Sequence, residues 1–133
     1  MHPKSCYMYK KRDGKLYAGP AWDFDYGTFG PNSDRLILPS LLYYKYLFQY
    51  PEFRLAVKER WAEVKDILAD VDSYILKQAD LIRASNEVNI SKWPITQNVN
   101  RDEKMTFDEA IESMRTVFKT RMKLVEDYIS NLN

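Results

Sequence analysis

The sequence predicts a mostly α fold with one small N-terminal β-hairpin, an α+β arrangement. Period-two alternation occurs only near the start, where Tyr7 and Tyr9 alternate with Cys6 and Met8. Residues 19–39 then hold three of the four glycines and three of the six prolines. From Leu41 onward the apolar patterns have helical period. We read residues 1–133 as a single partial domain: a hairpin (1–18), an acidic Gly/Pro loop (19–39) and a helical body (40–133).

The first strand is expected from Ser5 to Lys10 and the returning one from Lys15 to Ala18. Between them Lys11-Arg12-Asp13-Gly14 carries turn chemistry, because Asp-Gly accepts the positive backbone angles of a tight hairpin. Gly19-Pro20 ends the second strand. Two strands alone are marginal in water, so this hairpin is expected to pack on the helices or on further strands.

Four main helices are expected. Leu41 to Gln49 reads as a short aromatic helix closed by Tyr50-Pro51, with Pro51 suited to the first position of the next one. There Phe53, Val57, Trp61, Val64 and Leu68 form one apolar stripe. Asp70 or Asp72 is expected to cap a third helix, with Tyr74, Ile75, Leu81 and Ile82 facing inward. Asn86 to Arg101, containing Trp93-Pro94 and several asparagines, reads as a loop with short helical pieces. The last helix has the clearest signals. Thr106-Phe107-Asp108-Glu109 fits a capping box. Behind it Phe107, Ile111, Met114, Phe118, Met122, Val125 and Ile129 make a stripe roughly 33 Å long.

Composition narrows the function classes. Twenty Lys and Arg against nineteen Asp and Glu leave a formal charge of +1, so net charge draws neither nucleic acid nor an anionic membrane. The basic run Lys10-Lys11-Arg12 reads as a solvated hairpin tip. The lone Cys6 excludes an intrachain disulfide, and with the lone His2 it excludes paired zinc-ligand spacings. With no run of eighteen apolar residues, membrane insertion is not expected. Signal-peptide features are missing too, so the sequence carries no address of its own. Polar, strand-like sequence begins directly after Met1-His2-Pro3-Lys4, from which we expect that upstream sequence is lost or encoded elsewhere.

One segment has the residue types for chemistry: Gly19-Pro20-Ala21-Trp22-Asp23-Phe24-Asp25-Tyr26-Gly27. Extended backbone would point Asp23 and Asp25 the same way, toward a hard divalent cation with oxygen ligands. Trp22, Phe24 and Tyr26 would face the core and stiffen that edge. The plainer alternative is an acidic loop whose carboxylates cap a helix or pair with Lys and Arg. Neither a Walker loop nor a nucleotide-binding glycine fingerprint occurs.

Lys4-Ser5-Cys6-Tyr7-Met8-Tyr9-Lys10, Asp13-Gly14, Gly19-Pro20 and Trp22-Asp23-Phe24-Asp25 together resemble the C-terminal half of the CotH family, the spore-coat-type atypical protein kinases. Tyr50-Pro51-Glu52-Phe53, Glu59-Arg60-Trp61 and the closing helix at Thr106-Phe107-Asp108-Glu109 look similar too. The resemblance implies the C-terminal subdomain of a CotH-like kinase fold and ATP-dependent phosphate transfer to a protein substrate, with magnesium or manganese. It also implies that Asp23 holds the nucleotide's metal, with Asp25 as neighbour or second ligand. Ser5 stands where kinases often place a metal-binding Asn. The family's catalytic Asp and nucleotide-contacting Lys would lie upstream, so no catalytic residue is assigned here and the chain alone is expected to be inactive. Its partners would be the missing kinase segment or a second copy of itself. The family is often exported or surface-associated. The alternative is a non-catalytic helical module that docks a protein or polysaccharide through aromatic residues such as Tyr43, Tyr44 and Tyr46.

Overall fold

A computed structural model describes residues 7–23, 35–41, 43–96 and 104–133. Within them the chain is mostly helical, with one small antiparallel hairpin. Strand β1 (Met8–Lys10) pairs with β2 (Leu16–Ala18), Tyr9 lying opposite Tyr17. The connecting turn is looser than the Asp-Gly signal predicts. The Gly14 N–H donates to the Lys11 carbonyl at 3.0 Å, and the positive φ falls on Asp13, at 59°. A Cβ on Gly14 would lie 3.3 Å from that same carbonyl oxygen, so glycine suits the close approach. The basic tip at Lys10, Lys11 and Arg12 is exposed, as expected. The side chains of both strands are exposed as well, so among the described residues the hairpin is not covered by the helices or by further strands, on one or other of which it was expected to pack.

A 3-10 turn (Leu38–Ser40) leads to α1 (Tyr44–Leu47), α2 (Pro51–Ala69), α3 (Val71–Lys92) and α4 (Phe107–Ser130). Helix α1 is shorter than expected. The N–H groups of Gln49 and Tyr50 donate to carbonyls only three residues back, which tightens the chain before Pro51. The ring of Pro51 disfavours helical backbone at Tyr50, which is extended (ψ 125°).

Three further expectations need correction. Asp70 occupies the N-cap position of α3, yet its backbone is helical (φ −70°, ψ −13°) and its side chain makes no cap hydrogen bond. It is a one-residue joint between α2 and α3. The stripe crosses it in phase, running Val64, Leu68, Asp72, Ile75 and Ala79. Helix α3 also continues through residues read as loop. It stops at Trp93, whose following proline disfavours helical backbone. Ile75 faces inward as expected, whereas Tyr74, Leu81 and Ile82 are exposed. Tyr74 and Leu81 lie on the opposite side of the helix from Ala79.

Helix α4 folds back along α2 and α3. Its capping box forms as expected: the Thr106 N–H donates to Glu109 Oε2 at 2.7 Å, and the Glu109 N–H donates to Thr106 Oγ1 at 3.3 Å. The Thr106 N–H foremost, and then the Thr106 hydroxyl, which donates to Glu109 Oε2 at 2.8 Å, lower the pKa of Glu109. The cross-links between the two arms run antiparallel. Arg54 donates to the Asn133 carbonyl, the Trp61 indole to Glu126, Arg115 to Asp72, and Arg83 to Asp108.

Two layers of helix bury little. Among the described residues only Ala79 (3% exposed) and Ile129 (9%) belong to the buried core, while the rest of both stripes is half-buried or more open. The chain exposes 10767 Å². A compact monomer of this mass exposes roughly 7,300 Å².

Two outcomes follow from this packing. Ile129→Ala leaves a cavity in a small core and is expected to lower unfolding stability by about 2–4 kcal/mol, measured by urea denaturation. The Asp72 carboxyl titrates at about 2, below its ordinary 3.8, chiefly because Arg115 hydrogen-bonds its charged form. Its folded pKa is the depressed one, so its contribution is complete above pH 3.8 and is lost as pH falls through about 2. Circular dichroism from pH 5 to about pH 2 is expected to show acid unfolding, and Asp72→Asn to remove this group's share of the pH dependence.

Candidate metal centre

The hairpin delivers the acidic segment. Beyond β2 the Gly19 N–H donates to the Tyr7 carbonyl at 2.8 Å, which closes the mouth of the hairpin. Gly19 has φ 128°, a backbone angle that glycine accepts without steric cost. The Gly19-Pro20 bond is cis. Four residues after Gly19 comes Asp23, exposed, with φ 58°. Asp is one of the few residues besides glycine that enter this left-handed region readily.

Asp23 itself is therefore in the left-handed region and not extended as expected. Trp22 is 62% exposed and does not face a core. Asp25, Ser5, Phe24 and Tyr26 lie outside the described residues.

Behind the segment, the Tyr9 and Tyr17 rings stack at 5.1 Å with 11° between their planes. Such a cross-strand pair is the main side-chain support available to two short strands.

The described residues contain no cluster of three or more His, Cys, Asp or Glu that could cage a metal. Asp23 is the candidate carboxylate that lies within the described residues. Magnesium is commonly held by one or two carboxylates, with water and substrate phosphate completing its shell. A carboxylate at an exposed turn fits that mode of binding.

The other ionic cluster is structural. Asp72 accepts from Arg115 Nε at 2.8 Å and from Nη2 at 3.0 Å, with Lys119 Nζ at 3.3 Å. Both cations consume the carboxylate's acceptor capacity, and in return Asp72 first, then Glu112, raise the Arg115 pKa. The sequence pattern suggested Asp72 as a candidate helix cap, not as an ion-pair partner. The missed signal was phase, since Asp72 falls within the apolar stripe between Leu68 and Ile75.

A family model described as CotH kinase protein matches residues 2–125 of the chain. The chain belongs to the CotH family. The match spans the hairpin, the segment containing Asp23 and most of the helical body of this CotH-family chain. No curated protein and no solved structure matches it.

Tyr17→Ala removes the stacked pair and is expected to loosen the mouth of the hairpin. Hydrogen exchange at the Gly19 amide should accelerate by roughly two- to fivefold, the equivalent of 0.5–1 kcal/mol. Exchange in α4 should be unaffected.

Proposed function

We propose that this chain supplies the metal-holding part of a CotH-type phosphotransfer site. Asp23 is the principal ligand of a magnesium or manganese ion that carries ATP, and Asp25 and Ser5 are its neighbours in the same site. One observation carries the proposal: in a CotH-family chain, a hairpin ends in an exposed carboxylate at a turn. A bound divalent cation would bridge phosphate oxygens and neutralise their charge. The chain's own task is to hold an oxygen donor at a fixed place beside the hairpin.

Phosphoryl transfer depends on several groups positioned at once, among them a base for the acceptor hydroxyl and a cation on the nucleotide phosphates. In this proposal those groups come from outside the 133 residues, and the 133 residues alone transfer no phosphate. The exposed ring of Tyr46 supports a second reading, a non-catalytic helical module that docks a protein or polysaccharide through Tyr43, Tyr44 and Tyr46, the first two being half-buried. In that case binding would not need a metal.

The discriminating experiment is calorimetric titration with ATP, with and without magnesium, on the wild type and on Asp23→Asn. Asparagine tolerates the left-handed backbone, so the substitution removes the charge without disturbing the turn. The expected result is weak binding that requires magnesium and is reduced at least about tenfold by the substitution, a loss of roughly 1.4 kcal/mol. Binding indifferent to both magnesium and Asp23, or no binding at all, would overturn the proposal.

A further inference from the structure

The outer face of α3 carries a second apolar row that α4 does not touch. Tyr74, Leu81 and Val88 recur every seven residues and are 60%, 67% and 55% exposed. Seven residues are nearly two helical turns, so the three side chains lie along one line. Leu81 sits about 200° around the helix from buried Ala79, on the side away from α4. Asp72 and Arg83, which pair with α4, belong to the inner side. Ala84 and Ser91 each follow a row residue by three and are small enough to let another helix approach.

The row is self-complementary under a twofold rotation. With the axis at Leu81 and two α3 helices antiparallel, Leu81 meets its own copy and Tyr74 meets Val88 of the second copy. The same rotation places Asp70, at the joint before α3, opposite Lys92 at its far end, once on each side of the axis. Lys77 falls opposite Ser85, so no like charges meet there. A parallel pairing would instead set Asp70, Lys77 and Lys92 each against its own copy. Opposite charge at both ends and an apolar centre are what an isologous interface requires.

We propose that the outer face of α3 is the interface of a twofold homodimer, in which α3 packs antiparallel on α3 of a second copy about Leu81. This covers the apolar row that the two-layer monomer leaves in water.

Sedimentation equilibrium of the full chain across a concentration series tests the proposal. The wild type is expected at twice its 15.8 kDa mass at the upper concentrations. Leu81→Glu sets like charges at the axis and is expected to weaken association at least about tenfold. Because Leu81 is exposed in the monomer, the helical circular dichroism signal should remain. Asp70→Lys alone is expected to weaken the dimer about tenfold, and Asp70→Lys combined with Lys92→Asp to restore it. A monomer at every concentration overturns the proposal. So does a dimer that ignores Leu81→Glu, or a charge swap without recovery.

Discussion

The antiparallel docking of α4 along the shared stripe of α2 and α3 organises the remainder of the helical body. Its apolar component is distributed over many half-buried side chains and is weakly directional. Polar links set the alignment. Asp72 receives Arg115 through two nitrogens, which pins one point of the two arms. Trp61 with Glu126 and Arg83 with Asp108 fix the alignment on either side of it. Arg121 donates to the Arg35 carbonyl at 2.8 Å, tying the chain before α1 to the same helix. At the far end Phe48 meets Phe53 and Tyr128 edge to face, and the burial there raises the Tyr128 pKa.

A two-layer helical body covers one face of each arm and leaves the other in water. That geometry explains why only two apolar side chains among the described residues count as buried, although 45% of the sequence is hydrophobic. Two parts of the uncovered surface differ in character. Around the hairpin it is aromatic and adjoins Asp23. Along α3 it is a regularly spaced row of Tyr74, Leu81 and Val88 between Asp70 and Lys92, which suits helix pairing.

Chemically, the acidic segment is a modest device. In the proposed site one exposed carboxylate would hold a magnesium ion weakly, and substrate phosphates would supply much of the affinity. The hairpin constrains where that carboxylate stands, through the Tyr9–Tyr17 stack and the Gly19 hydrogen bond to Tyr7. The membership in the CotH family gives this placement its meaning. Without it, an aspartate in a left-handed turn would read as ordinary turn chemistry.

Local rules that act over three or four residues were legible in the sequence. The Thr106–Glu109 capping box, the proline start of α2 at Pro51, the α2 and α4 stripes and the hairpin each depend on neighbours close in the chain. The family resemblance was legible too, because it rests on short motifs at set spacings. Decisions that needed a distant partner were not. Asp72 looked like a candidate cap until α4 brought Arg115 to it from 43 residues away. Tyr74 and Leu81 looked like core because apolar character identifies a side chain that gains from burial, without saying which face receives a neighbour. At Asp23 the residue type was readable and the direction of its carboxylate was not. The left-handed turn there belongs to the folded backbone, and a two-residue spacing of aspartates carries no record of it.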